Sequence, residues 1–391
     1  MQIPMSSPDL RACDVAAVHA VLETPVLSIG PWAARFEAEL AARVGVPHGC
    51  AVSNGTAGLH LAVIAAGVEA DDLVLTTPFS FVSTANVVLY ERAIPVFVDV
   101  DPDTGNLDPL LAAEAAADLS AGGARAARWL PRSARGGSRG TLKALLPVHT
   151  FGQPADMDPL CTTARAHNLR LIEDACEAVG AEYKGRPVGS LGDAAVFAFY
   201  PNKQMTAGEG GMIVTAHYEW DALFRSLRNQ GRDVFDVWLS HSRLGYNYRL
   251  DEMSAALGTS QCARLDELLA RRATVAGWYA ERLAGVELVE TPRIVPTTSR
   301  MSWFVYVVRI RPPAQRDALM ARLAERGVPS RPYFTPIHLQ SFYGERFGYR
   351  RGDFPVTEWL GDVSLALPFS GVMTEQQVDY VCAQVAASIE P

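Results

Sequence analysis

The chain has 391 residues, and its 35 basic and 43 acidic side chains give a formal net charge of −8 at pH 7. This length favours one large and one smaller domain, while 49% hydrophobic and 20% charged residues are typical of a folded globular protein and argue against a disordered chain. A negative net charge without an arginine-dense face gives no indication of nucleic-acid binding.

Lysine is rare in this chain. Only Lys143, Lys184 and Lys203 are lysines, so 35 − 3 = 32 of the basic residues are arginines. Codon usage in a GC-rich genome is one explanation for this excess. Chemistry that needs a primary amine on a side chain therefore has three candidate positions.

The sequence shows no sign of a membrane segment or a metal site. Its start lacks a basic segment followed by an apolar one, and no run of about 18 uncharged apolar residues occurs. We therefore expect a soluble, cytoplasmic protein without membrane contact. The six cysteines form no CxxC pair, which favours reduced thiols over a disulfide framework or a zinc site.

Short apolar runs alternate with helical segments through the first part of the chain. A strand, a turn and a helix are predicted in residues 50–66, and a helix in each of 79–93 and 155–168. Further strands are predicted in the apolar runs at 73–78, 94–101, 144–152, 169–176, 194–201 and 210–215. This alternation predicts an α/β fold with a mostly parallel central sheet that is covered on both faces.

The pattern changes after residue 250. Residues 251–283 are predicted to form one helix that is long enough to connect two domains, and a strand follows in 302–310. Helices are predicted in 317–327 and 374–389. We expect a large domain in residues 1–250 and a smaller α+β domain in residues 251–391.

Residues 120–143 carry five arginines and one lysine but no acidic side chain, and they are rich in Gly, Ala and Ser. We interpret them as a mobile surface insertion. Alternatively, this segment binds the phosphates of a nucleotide substrate.

Lys203 has the most informative surroundings of the three lysines. It follows the apolar run at 194–201, and three glycines behind it allow a tight return into the next strand. Ligands of open α/β sheets bind at the carboxyl ends of strands, so a reactive amine would be useful here. Lys184 lies in a polar turn and Lys143 beside the arginine-rich segment, and both are expected to be solvated.

Three further features suit an anionic ligand with a planar ring. Asp174 ends a buried strand, where a carboxylate needs a cationic partner such as a protonated pyridine nitrogen; a helix N-cap at Asp174 or Glu173 is the alternative. The SNGT turn at 53–56 precedes a helix and can bind phosphate. Phe81 could stack on a ring or belong to the core.

Together these features describe a site for pyridoxal phosphate (PLP). The sequence resembles the DegT/DnrJ/EryC1/StrS sugar aminotransferases, a group of fold-type I PLP enzymes, over nearly its whole length. The matching motifs include SNGTAGLHLA, TTPFSFVSTANVVLYERAIPVFVDVD, LPVHTFGQPADMD, IEDACEAVGAEYKGRPVGSLGDAAVFAFYPNK, AGEGGMIVT, RNQGR, LGYNYRLDEMSAALG and PIHLQ.

The resemblance implies a role for each residue of the cofactor site. Lys203 corresponds to the Schiff-base lysine, which also transfers the proton, and Asp174 to the partner of the pyridine nitrogen. Phe81 corresponds to the stacking aromatic residue, and Gly55 and Thr56 to the phosphate turn.

Three more residues are implied to lie near the ligands. Asn247 matches an asparagine that reaches the phosphate from the neighbouring subunit, which implies a homodimer with shared active sites. Glu177 and His338 match positions near the substrate. One position departs from the family pattern, because Ala198 stands where relatives commonly have a serine that touches the phosphate.

The implied reaction is a ping-pong transamination. The amino donor is expected to be L-glutamate and the acceptor a nucleotide-linked keto-deoxysugar, whose diphosphate would lie near His338 and the arginine-rich segment. Some relatives carry histidine in place of the lysine and act as dehydratases, which Lys203 argues against. A cyclitol ketone or another non-nucleotide acceptor is one alternative, and a non-catalytic sensor or regulatory protein is another.

Overall fold

The computed structural model describes residues 3–136, 140–233 and 240–389. The α-helices in these ranges are α1 (Ala12–Leu22), α2 (Pro31–Val44), α3 (Gly55–Ala65), α4 (Ser83–Tyr90), α5 (Pro109–Ala121), α6 (Gly123–Ala127), α7 (Met157–Ala166), α8 (Tyr218–Arg228), α9 (Glu252–Ala263), α10 (Leu265–Leu283), α11 (Pro313–Glu325), α12 (Ser341–Phe347), α13 (Pro355–Val363) and α14 (Glu375–Ser388). The strands are β1 (His48–Val52), β2 (Leu73–Thr76), β3 (Ile94–Phe97), β4 (Leu142–Leu145), β5 (Arg170–Asp174), β6 (Glu182–Tyr183), β7 (Arg186–Pro187), β8 (Ala194–Ala198), β9 (Gly211–Thr215), β10 (Val289–Glu290), β11 (Thr298–Arg300), β12 (Tyr306–Ile310), β13 (Arg331–Pro332) and β14 (Ser364–Leu367).

A seven-stranded sheet forms the centre of the fold, in the order β1-β9-β8-β5-β4-β2-β3. The five strands from β8 to β3 pair in parallel, while β9 is antiparallel to both of its neighbours. Successive residues of β8 face different cores, because Ala195 and Phe197 pack in one buried cluster and Ala194 and Val196 in another. The predicted α/β fold, with a mostly parallel sheet that is covered on both faces, is confirmed.

Two smaller antiparallel sheets complete the fold. One joins β10, β12, β14 and β13, and the other joins β11, β6 and β7. Helix α9 and the start of α10 pack in a core of the large sheet, where Leu250, Cys262 and Leu268 are buried. The core of the four-stranded sheet takes α10 from Val275 onward and also includes Ile3. The division of the chain near residue 250 stays a prediction.

The single helix predicted for residues 251–283 is wrong in one respect, because the chain breaks it into α9 and α10. The break lies at Arg264, whose backbone leaves the helical conformation (φ −114°, ψ 21°). Its guanidinium donates to the carbonyl of Asp9 (2.6 Å) and to the Asp14 carboxylate (3.0 Å). The break is therefore stabilised by the N-terminal segment, which lies about 250 residues away in sequence.

The arginine-rich segment is anchored to the body of the protein in its described part, contrary to the mobile loop expected from its composition. Ala126 and Leu130 are buried in a core of the large sheet. Arg132 forms a bidentate ion pair with Asp353 (2.6 and 2.7 Å). This pair joins the segment to the C-terminal part of the chain; residues 137–139 lie outside the described residues.

Within the described ranges, no helix combines the length and the apolar character that crossing a bilayer requires. In the same ranges, His, Cys, Asp and Glu side chains form no group of three or more that could hold a metal ion. All six cysteines have free thiols.

Candidate active site

A cleft with a volume of about 930 Å³ opens at the carboxyl ends of β5 and β8. Six of the predicted site residues line it together: Gly55, Thr56, Phe81, Asp174, Glu177 and Lys203. These residues are up to about 150 positions apart in the sequence, and the parallel strands bring them to one edge of the sheet. Asn247 and His338 do not line the cleft of their own chain.

The first turn of α3 faces the cleft and carries Gly55 and Thr56. Asn54 caps this helix, because its side chain accepts a hydrogen bond from the N–H of Ala57 (2.8 Å). Among the described residues, no acceptor takes the N–H groups of Gly55 and Thr56. Free N–H groups at the positive end of a helix dipole form a site for an anion such as a phosphate.

Only glycine fits at position 55. A Cβ atom there would lie 2.8 Å from the Cβ of Ala198 and 2.8 Å from the Sγ of Cys176, closer than side-chain atoms normally pack. The absence of this Cβ lets the start of α3 meet the end of β8. Ala198 itself lines the cleft, so the one position that departs from the expected family pattern lies at the site and has no hydroxyl group.

Asp174 is almost completely buried, with 4% of its surface exposed. Its carboxylate accepts hydrogen bonds from the hydroxyl of Thr84 (2.7 Å) and from the N–H of Cys176 (3.2 Å). The hydroxyls of Thr84 and Ser80 lie 2.8 Å apart and extend this network. The two donors orient the carboxylate and leave it acceptor capacity on the side of the cleft.

The N-cap alternative for Asp174 and Glu173 is wrong, because the chain continues from β5 through turns into β6. Glu173 points away from the cleft and has a structural role. Its carboxylate accepts hydrogen bonds from the N–H groups of Gly189, Leu191 and Gly192, at 2.7–2.9 Å. The two neighbouring acids of the IED motif therefore serve different purposes.

Phe81 is not a core residue, since 61% of its surface is exposed. It precedes α4 and stands at the wall of the cleft. Its ring is therefore accessible for stacking on a planar ligand.

Lys203 points its amine into the cleft, and 13% of its side chain is exposed. The Nζ atom lies 3.7 Å from Oε1 of Glu177 and 3.8 Å from the centre of the Phe304 ring. The other two lysines lie on the surface, as expected. Lys184 pairs with Asp158 at 2.7 Å, and 39% of the Lys143 side chain is exposed.

Glu177 lies beside the amine of Lys203. Burial raises the pKa of its carboxyl, while the charge of Lys203 and a hydrogen bond from the N–H of Phe151 (3.0 Å) act in the opposite direction. The family resemblance implies a position near the substrate for Glu177, which stays a prediction, and the geometry adds a direct contact with Lys203.

The structure places Asn247 on the surface. It is exposed, and its backbone forms a bridge with Asn229. The next residue, Tyr248, lines the cleft of its own chain. Asn247 itself does not line that cleft, and its predicted contact with the site of a neighbouring subunit stays a prediction.

His338 is fully buried and is not brought into the cleft. Its Nε2 lies 2.9 Å from Oε1 of Glu358, and burial lowers the pKa of the imidazole although the Glu358 carboxylate opposes this. The geometry gives no support to the expected contact with the substrate. The geometry likewise gives no support to the expected contact between the arginine-rich segment and the substrate, because no residue in the described part of this segment lines the cleft.

Among the residues at the site that were missed from the sequence are Thr84, Phe304 and Tyr333. Thr84 lies inside α4, where a threonine gives no local signal of a partner 90 residues away. Phe304 and Tyr333 come from the C-terminal part of the chain and form a wall of the cleft. Their apolar surroundings resemble those of ordinary core positions.

The sequence matches the DegT/DnrJ/EryC1/StrS aminotransferase family over residues 8–386. The GDP-perosamine synthase of Caulobacter vibrioides is 38% identical over 386 residues, which cover 98% of this chain and 97% of that protein. Among solved structures, DesV of S. venezuelae in complex with a ketimine intermediate is 32% identical, with a TM-score of 0.86 and complete coverage of both chains. A 3-amino-5-hydroxybenzoic acid synthase is 28% identical, with a TM-score of 0.86 over 99% of this chain and 98% of its own.

The Thr84 hydroxyl is predicted to orient Asp174. Thr84→Val keeps the shape of the side chain but removes one of the two donors to the carboxylate, and we expect kcat/KM to fall about tenfold, as for one lost hydrogen bond to a charged group. Thr76→Val is the matched control, because its buried hydroxyl donates to the Leu146 carbonyl (2.7 Å) and does not line the cleft. Steady-state kinetics give kcat/KM, and urea denaturation gives the free energy of unfolding, for both variants. Equal losses of kcat/KM in the two variants would contradict the role of Thr84.

Proposed function

This chain belongs to the DegT/DnrJ/EryC1/StrS aminotransferase family, and we propose that it transfers an amino group from L-glutamate to a nucleotide-linked keto-deoxysugar by a ping-pong reaction. It is a PLP-dependent enzyme. The bound cofactor supplies an electron sink for the carbanion and carries the amino group between the two half-reactions.

The residues of the cleft fit this cofactor. The strongest support is that a buried carboxylate, a primary amine and a helix N-terminus with free N–H groups line one cavity. Asp174 would hold the proton on the pyridine nitrogen, and Gly55 and Thr56 would bind the phosphate through the start of α3. Phe81 would stack on the ring, because its face is exposed at the cleft wall.

Lys203 is proposed to bind the cofactor covalently and to transfer the proton. When the donor's amine takes its place, the freed, neutral Nζ would accept the proton that leaves the donor's α-carbon and would then deliver it to C4′ of the cofactor. Glu177, 3.7 Å from Nζ, would hold the amine in the cleft by charge attraction while the amine carries that proton. Phe304, from the C-terminal part of the chain, covers the same amine and would exclude water there.

The acceptor is proposed from the size of the site and from a relative. A cleft of about 930 Å³ is at the upper end of the usual range for ligand sites and has room for a substrate beside a cofactor. The name of the Caulobacter vibrioides relative gives a GDP-linked amino sugar as its product. The 3-amino-5-hydroxybenzoic acid synthase favours a second candidate, an acceptor without a nucleotide.

A homodimer is proposed from two observations, the position of Asn247 and the exposure of large apolar side chains. Asn247 is exposed beside the cleft residue Tyr248, so a partner's cleft is the place where its amide could bind a phosphate. Two large apolar side chains are also exposed. Leu244, three residues before Asn247, has 82% of its surface exposed, and Tyr90, which lines the cleft, has 51% exposed. Such apolar exposure is typical of a surface that a partner covers.

Removing the amine tests the catalytic assignment. We expect Lys203→Ala to lose the near-visible absorption of the bound cofactor and to slow turnover by about 10²- to 10⁴-fold or more, since both covalent binding and proton transfer are lost. Lys184→Ala is the control, because this lysine forms an exposed ion pair and should retain activity within about twofold. Normal turnover by the Lys203 variant would remove the assignment.

The acceptor class is tested with a nucleotide-linked keto-deoxyhexose, the same sugar without its nucleotide, and a keto-inositol. With L-glutamate as donor, we expect kcat/KM for the nucleotide-linked ketone to exceed that for the other two by about 10²-fold or more, because binding of the nucleotide contributes to transition-state stabilisation. Mass spectrometry of the aminated product measures each rate. A preference for the keto-inositol would favour the second candidate.

The shared site is tested by mixing two inactive variants. Asn247→Ala and Lys203→Ala should each have low activity alone. After subunit exchange, a mixed dimer has one site with both substitutions and one with neither, so about a quarter of wild-type activity should return in an equal mixture. If each site used only residues of its own chain, no activity would return.

A further inference from the structure

Arg272 is a buried cation without an acidic partner. It lies on α10, and 3% of its surface is exposed. No carboxylate of a described residue lies within ion-pair distance of its guanidinium, whereas the buried Glu37 carboxylate pairs with Arg225 and Arg228. Burial lowers the pKa of Arg272 to about 10. A charge in this position is costly unless it serves a specific purpose.

The guanidinium instead donates hydrogen bonds to four backbone carbonyls. Nη2 donates to Lys203 (2.6 Å) and to Asn202 (3.3 Å). Nη1 donates to Trp303 and Phe304, each at 3.1 Å. One planar group therefore joins the turn that carries the reacting amine to the segment that carries the ring above it.

This arrangement fixes both partners of a close contact in the site. The Phe304 ring lies 3.8 Å from Nζ of Lys203, and Arg272 holds the backbone of both residues. A second hydrogen bond joins the same two segments, from the side-chain amide of Gln204 to the hydroxyl of Ser302. The fold of the two segments thus does not depend on Arg272 alone, but the Arg272 guanidinium hydrogen-bonds directly to the carbonyls of both Lys203 and Phe304.

We propose that Arg272 is a positioning residue that sets where the amine of Lys203 lies relative to Phe304 and the cleft. The proposal rests on Lys203 as the reacting amine. Arginine suits this task because its rigid fork has five N–H donors and can serve four carbonyls at once. A lysine at position 272 keeps the charge but has three donors on one atom, so it cannot hold both segments in the same geometry.

The first experiment measures the position of the amine without the cofactor. The full-length chain, stripped of cofactor, is reductively methylated, and the labelling rates of Lys143, Lys184 and Lys203 are read separately by peptide mass spectrometry. We expect Arg272→Lys and Arg272→Met to raise the labelling rate of Lys203 about tenfold, because local opening exposes Nζ more often. The two surface lysines are internal standards and should label at the wild-type rate.

The matched control is Arg271→Met on the same helix. Arg271 is exposed and pairs with Asp9 (2.6 Å) and Glu267 (3.6 Å), away from the cleft. This variant should label all three lysines at the wild-type rate. A rise at Lys203 in the control as large as in the Arg272 variants would contradict the proposal.

The second experiment measures turnover of the cofactor-loaded enzyme. We expect Arg272→Lys to lower kcat about 10- to 100-fold while KM stays within about twofold, because a displaced amine slows proton transfer without removing a substrate contact. Wild-type kcat and wild-type labelling in this variant would overturn the proposal. So would faster labelling of all three lysines together with a kcat that follows the folded fraction, which would indicate a purely structural arginine.

The labelling experiment also separates this proposal from the one on which it rests. If Lys203→Ala kept its turnover, the assignment of Lys203 as the reacting amine would fail. The labelling of Lys203 in the Arg272 variants would still report whether Arg272 positions that amine.

Discussion

The close approach of α3 to the end of β8 is the constraint on which the site depends. Gly55, Cys176 and Ala198 meet there, and a single added Cβ at residue 55 would collide with the other two side chains. Because these residues are small, the N–H groups at the start of α3 open into the same cavity as the carboxylate of Asp174 and the amine of Lys203. A larger residue at this junction would separate the phosphate end of the site from its reacting end.

The same junction offers an explanation for Ala198. The serine expected from the family resemblance would add a hydroxyl close to the start of α3, at the end of the cleft proposed to bind phosphate. In this chain the free N–H groups of Gly55 and Thr56 and the hydroxyl of Thr56 remain available at that end of the cleft. In the proposed cofactor site the helix terminus would therefore be the chief binder of the phosphate, since its donors come from the backbone and do not depend on one side chain.

Local sequence patterns predicted the seven strands of the large sheet and the residues at strand ends, because strand periodicity and turn signals act over a few positions. They placed Asp174 and Lys203 correctly at the edge of the sheet. They could not predict the partners of these residues. The hydroxyl that orients Asp174 lies 90 positions away, and the guanidinium behind Lys203 lies 69 positions away. The break at Arg264 was missed for the same reason, since the N-terminal segment that stabilises it is distant in sequence.

The scarcity of lysine becomes informative when each lysine is compared with the arginines around it. Lys184 shares the carboxylate of Asp158 with Arg186, so an arginine could fill its place without a change of chemistry. Position 203 differs, because a guanidinium stays protonated in proteins and cannot act as a nucleophile or accept a proton near neutral pH. Arg272, directly behind it, shows the opposite requirement, since only a rigid fork can bind four carbonyls. The chain uses arginine for nearly every positive charge. Lys203 and Arg272 lie next to each other in space, and neither could be replaced by the other residue type without loss of its chemistry.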